Sequence, residues 1–265
     1  MTASIQIQRT PDVQYLLRLG DTCLILGQRL AEWCGHGPVL EEDIALTNMA
    51  LDLVGQARAL LTHAGQLAGA TSADKLNEDQ LAFLRDERDF FNVTMVELPG
   101  GPKDSDFAFT VLRNAMVATL LKLLWVRLID SKDSELAGIA GKAVKEARYH
   151  QQHAADWVVR LGDGTPESRR RMEAALANLW RYSEEWFVVD AVDEHAHATG
   201  FGPRWADLRT EWTAEMGAIL EDATLTAPPA SLFRSQGKYG QHSEHMGFIL
   251  ATMQSLQRSF PGGVW

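Results

Sequence analysis

Apolar residues recur every three or four positions through most of this 265-residue chain, and nowhere do they alternate with polar ones over a useful length. That period is the one-sided stripe of an amphipathic helix, whereas strands need a period of two, so the chain is restricted to an all-α fold. Breakers cut the stripe into segments. A helix over about 13–33 carries Leu16, Leu17, Cys23, Leu26 and Leu30 and stops at Gly35-His36-Gly37-Pro38. A second, over 40–67, opens with Glu41, Glu42 and Asp43, favourably placed against the helix dipole. A shorter third covers 77–92, and the run from Glu97 to Pro102 breaks the chain near its midpoint.

Beyond that break, helices are expected over 105–130 and 134–161. Gly162-Asp163-Gly164 ends the latter, and Thr165-Pro166 starts another that reaches about Val192. Two more cover 203–221 and 243–259, separated by a loop at Pro228-Pro229. No linker or short repeat divides the chain. The expectation is a single domain over residues 1–265, with seven to nine helices around a long four-helix core.

Composition narrows the function. A net charge of −10 argues against nucleic acid and against an anionic membrane surface, since both are bound by clustered Lys and Arg. The most apolar segment, 107–128, contains Arg113, Asn114, Lys122 and Arg127 and reads as a core helix rather than a membrane span. The N-terminus lacks the basic start and apolar stretch of a secretion signal, so a cytoplasmic location is expected. Cys23 and Cys34 would lie about 16 Å apart along a continuous helix at ~1.5 Å per residue, too far for a disulfide.

Long helices with inward polar residues invite comparison with di-iron carboxylate bundles, in which two helices each supply a Glu and two others each supply a Glu and a His three residues apart. Residues at that spacing share a helix face and can reach one ion together. Here the spacing occurs once, at Glu194 and His197, just before the helix-ending run Ala-Thr-Gly-Phe-Gly-Pro. None of the other seven histidines has a carboxylate three positions before it. The pair reads as an exposed polar terminus.

Three other constellations stand out. Glu146, His150 and His153 share a face at i, i+4 and i+7 beside an apolar stripe, so His150 is expected to be buried and satisfied by a hydrogen bond. On the second helix Asn48, Asp52 and Gln56 form a polar stripe with Asp52 inward, suited to a buried hydrogen-bond network; Gly55 stands where a second His would be needed. Lys122 lies in an apolar run, either paired with Asp52 or Glu146 inside the bundle or with its stem along the core and its head in water. His242 and His245, three apart at a helix start with Ser243 as a cap, suit a structural or interface role.

Several of these segments, taken together, resemble the C subunits of the bacterial ring-1,2-phenylacetyl-CoA epoxidases, a family of ferritin-like monooxygenase subunits. They are residues 19–36, Leu51-Asp-Leu-Val-Gly-Gln-Ala-Arg58, Arg85-Asp-Glu-Arg-Asp-Phe90, Lys145-Glu-Ala-Arg-Tyr-His150 with Leu161-Gly-Asp-Gly-Thr165, and His242-Ser-Glu-His-Met-Gly247. The resemblance implies a ferritin-like bundle that binds no cofactor itself. It implies a partner, the A subunit, that holds the di-iron centre and the acyl-CoA, within a complex that uses O2 and NADPH-derived electrons to epoxidise the ring. The missing second Glu-x-x-His agrees with a structural role, in which a helical face presenting some of the chain's Trp residues would meet the partner. The alternative is a metal-dependent oxygenase with atypical ligands drawn from Asp52, Glu146, His150, His153 and Glu194.

Overall fold

A computed structural model describes residues 4–69, 76–100, 106–261 and 263. Among these residues the chain is all-α, without a β-strand, and is built on two long helical hairpins. The first pairs α1 (Pro11–Ala31) with α2 (Leu40–Gly69); the second pairs α4 (Phe107–Leu128) with α5 (Ser134–Gly162). A long crossover containing the short α3 (Glu78–Phe83) joins them, which is the connection of a ferritin-like bundle. The hairpins meet along α2 and α5, and Trp33 at the end of the first donates through Nε1 to Thr110 Oγ1 of α4 at 3.0 Å.

Local chemistry sets most helix ends. Thr10 caps α1 with Pro11 in the first turn, Asp106 caps α4 and Asp133 caps α5, each accepting a backbone N–H. Thr165 and Ser168 form a reciprocal cap for α6 (Pro166–Leu179). Asp190 caps α7 (Ala191–Thr199), and Gly200 ends it at φ 77°, a left-handed conformation that glycine adopts without strain. The expected helix start at Ser105 and the breaker residues Gly101 and Pro102 lie outside the described residues. Helix α4 is apolar and long enough to cross a membrane, but 83% of its most apolar stretch is buried within the fold.

Ten α-helices form among the described residues where seven to nine are expected, and four of the expected helices are corrected, the one over 203–221 by opening as a 3₁₀ turn at Trp205–Leu208 and becoming α-helical only from Arg209. The sequence pattern extends the third over 77–92, yet α3 ends at Phe83 and the chain continues through 3₁₀ turns at Glu87–Asp89 and Thr94–Glu97. The reason is that residues 90–98 are buried between the hairpins, where α1 side chains replace helical carbonyls: Asp21 accepts from the Phe91 N–H at 2.9 Å and Thr22 from the Val93 N–H at 3.3 Å. The helix expected to reach Val192 tightens at Leu179 into a 3₁₀ run over Trp180–Phe187. There Trp180, Trp186 and Phe187 gather around Trp212 of α8 (Arg209–Asp222) at centroid distances of 5.3, 5.3 and 5.6 Å. The final helix breaks at Gln254 into α9 (Glu244–Met253) and α10 (Ser255–Ser259), because the Gln254 amide turns inward to donate to the carbonyls of Ala82 and Arg85.

Buried charge ties the later segments to α1. The Arg18 guanidinium, fully buried, reaches Asp190 at 2.6 Å and Asp193 at 3.4 Å, and Lys238 reaches Asp193 at 3.3 Å. Two cations face two carboxylates, so the cluster is neutral as a whole. Burial holds the Lys238 ammonium below its ordinary pKa and the Asp193 carboxyl above its own.

Candidate functional site

The place to look for chemistry is the seam between α2 and α5, where the polar faces read from the sequence come together. Four side chains of α2 meet partners at or on α5 in antiparallel order. Glu42 Oε2 stands 3.0 Å from His153 Nε2, Asp52 Oδ2 lies 3.0 Å from His150 Nε2, Gln56 Nε2 donates to Glu146 Oε2 at 2.9 Å, and His63 Nε2 lies 2.9 Å from Asp133 Oδ1. Behind them the Cys23 thiol of α1 contacts Gln56 Oε1 at 3.6 Å. Burial, then the charges of Glu146 and Asp21, push that thiol well above the ordinary range, so it stays protonated and donates.

His150 is buried and hydrogen-bonded, as its place on the apolar stripe predicts. Burial lowers its pKa, and the Asp52 carboxylate only partly offsets that, so the ring is neutral at pH 7. Asp52 itself does not point inward: its side chain is 38% exposed at the rim of the seam, because the α2 face toward the core is taken by Met49, Leu53 and Leu60. Nor do Asn48, Asp52 and Gln56 form one network along α2. Asn48 is exposed, and the other two reach across to α5 instead. With Asp52→Asn, His150 is expected to titrate at still lower pH, with a stability loss below about 1 kcal/mol because the Asp52 carboxylate is more than a third exposed; NMR titration of the ring and a denaturant melt check both.

Lys122 pairs with neither Asp52 nor Glu146. It bonds Glu215 of α8, whose carboxylate also accepts from Gln151 Nε2 at 2.6 Å. The face of α4 that carries Lys122 looks toward α8, away from the α2–α5 seam, so the ion pair expected in the bundle is replaced by one on its flank. Glu194 and His197 are exposed on α7, with Glu194 3.5 Å from Arg204. They lie on a helix outside the α2–α5 seam.

The donor set does not fit a di-iron centre. Among the described residues no three His, Cys, Asp or Glu side chains gather as ligands would, and the five candidates split into separate pairs: Asp52 with His150, Glu146 with Gln56, His153 with Glu42, and Glu194 with Arg204. Two of the three partners from outside the set, Gln56 and Arg204, are poor metal ligands or none at all.

Sequence reasoning missed the most deeply buried carboxylates. Glu97 is fully buried and takes hydrogen bonds from Asn92 Nδ2, His242 Nδ1, and the N–H and Oγ of Ser243. Ser243 therefore sits at the start of α9 without capping it through its side chain, since its hydroxyl is given to Glu97. Asp21, also fully buried, pairs with Arg85. An acid within the apolar stripe of α1 is a readable signal for Asp21; Glu97 lies in a turn-rich stretch with no periodicity to mark it.

The family model described as phenylacetic acid catabolic protein matches residues 1–265. The chain belongs to the phenylacetic acid catabolic protein family. It is 46% identical over 251 residues to the C subunit of the 1,2-phenylacetyl-CoA epoxidase of Escherichia coli strain K12, covering 95% of this chain and 98% of that one. With near-complete coverage of both chains, the bundle and the seam of this member of the phenylacetic acid catabolic family fall within the shared length.

Proposed function

We propose that this chain is the non-catalytic, structural subunit of a cytoplasmic phenylacetyl-CoA ring-epoxidising monooxygenase in aerobic phenylacetate catabolism. It pairs with a related catalytic subunit that carries the di-iron centre and the acyl-CoA, and with the other subunits of the complex. Similarity to an epoxidase subunit supports the pathway. The observation that carries the structural role is the seam itself, where His150 is committed to Asp52 and Glu146 to Gln56, so donors that could face an ion satisfy one another. With His150 and Glu146 engaged in this way, neither side chain is left open toward an ion.

Elemental analysis tests this on protein made in iron-supplemented cells, both alone and with the catalytic subunit. Iron confined to the catalytic subunit is the expected result. About two irons per copy of this chain alone, the complement of a di-iron bundle, would overturn the reading and make Asp52, Glu146 and His150 an active site.

A further inference from the structure

The outer face of the α2–α5 pair is unusually bare. Along α2, Leu40, Ile44, Leu51 and Val54 are exposed at 72%, 51%, 64% and 37%, and they recur at helical spacing along its solvent side, with Val54 at the edge where it packs over Gly27 of α1. Tyr149 of α5, 52% exposed, continues the apolar surface across the seam. By contrast the described Trp residues are all buried or half-buried, so the exposed apolar surface of this face is aliphatic rather than the tryptophan face that the structural-subunit reading suggests.

Two glycines deepen the face. Gly55 of α2 and Gly138 of α5 line one open groove together with Gln56, Ala59 and Ile139. A β-carbon built at either would meet nothing within 4 Å in this chain. Glycine in a helix interior is destabilising relative to alanine, and no packing within the chain accounts for it at these two positions. Close approach of a foreign backbone does account for it.

Resting on the structural-subunit reading above, we infer that the α2–α5 face is the docking surface for the catalytic subunit, and that the groove between Gly55 and Gly138 receives one of its helices. The size fits. Two helices of 30 and 29 residues, at ~1.5 Å per residue and about 10 Å wide each, present roughly 900 Å², close to the ~800 Å² per partner of a stable interface. Charge narrows the occupant. Lys142 at the groove and Lys145 one turn on are exposed and make no ion pair among the described residues, while Glu146 is held by Gln56 and Glu135 edges the groove at its far end. The complement is a helix with an apolar ridge and a carboxylate on the flank that meets the two lysines.

The test is a binding titration of the full chain against the purified catalytic subunit, with light scattering of each alone. Gly55→Leu and Gly138→Leu fill the groove without touching the core, so each is expected to keep or raise the melting temperature while weakening the heterocomplex at least tenfold. Lys142→Glu with Lys145→Glu should weaken it and flatten its salt dependence. Phe248→Ala, an exposed aromatic on α9, is the control and should bind as the wild type does. Failure of the wild type to bind the catalytic subunit would sink the structural-subunit reading itself. Wild-type binding that both leucine variants retain would overturn only the docking face. A wild-type homodimer that Gly55→Leu splits, with heterocomplex affinity unchanged, would also overturn it by assigning the face to a second copy.

Discussion

Asp21→Ala is expected to destabilise the chain by about 3–5 kcal/mol, because it strands a guanidinium that has no route to water. Both Asp21 and Arg85 are fully buried, and Arg85 sits over the Phe90 ring at 4.1 Å, sealed on that side as well. Asp21 does two things at once: it neutralises Arg85 and accepts the Phe91 N–H at 2.9 Å, so its loss unties the crossover from α1. For a chain of this size that corresponds to a fall in melting temperature of roughly 10 °C. The companion variant Asp21→Leu with Arg85→Met removes both charges and should recover part of the loss, leaving the Phe91 N–H as the residual deficit. Thermal and denaturant melts of the two variants check the prediction; a single variant within 1 kcal/mol of wild type would mean that water reaches the pair.

Glu97→Gln is expected to cost a similar amount, about 3–5 kcal/mol, and to change how stability depends on pH. His242 has an acceptor at each ring nitrogen, Glu97 Oε1 at 2.6 Å from Nδ1 and the Phe90 carbonyl at 3.0 Å from Nε2. Both nitrogens must donate, so the ring is held as imidazolium. Burial opposes that charge, but the hydrogen bond and charge of Glu97, with the Phe90 carbonyl, outweigh it and raise the His242 pKa. With the folded pKa above the unfolded value of about 6.5, the folded state binds the proton more tightly. The contribution is therefore complete below about pH 6.5 and is lost as pH rises through the raised folded pKa. Denaturant melts from pH 6 to pH 9 should show the wild type weakening across that range, with a shallower slope in Glu97→Gln and in His242→Gln. An unchanged slope in His242→Gln would place the titration elsewhere.

Much of this fold could be read from its punctuation. The breakers at Gly35 and Gly162, the cap and proline at Thr165-Pro166 and the stop before Gly200 all act locally, through dihedral preference and orphan N–H groups, and the helices obey them. What escaped was decided at long range. Nothing near Leu179 says that the next turn must tighten to bring Trp180 and Trp186 against Trp212, and nothing near Gln254 announces the carbonyls of Ala82 and Arg85. The same divide runs through the seam. Helical spacing places Glu146, His150 and His153 on one face of α5, but spacing within a helix cannot fix its register against a neighbour. That register decides that α2 offers each of them a separate partner instead of a shared centre, and it turns Lys122 toward α8.

The Glu97–His242 bond joins residues 145 apart in sequence. At a synthesis rate of about 5–20 residues per second, Glu97 leaves the ribosome roughly 7–30 s before the ring that neutralises it. The two hairpins are local and can form as they emerge, but the pocket between them holds an unanswered carboxylate until α9 arrives. A chain cut short before residue 242 would thus hold both hairpins and yet keep a charge in its interior, open to the proteases that remove unfinished products. The segment that starts α9 works as a late seal: the crossover closes only once His242 and Ser243 have reached Glu97.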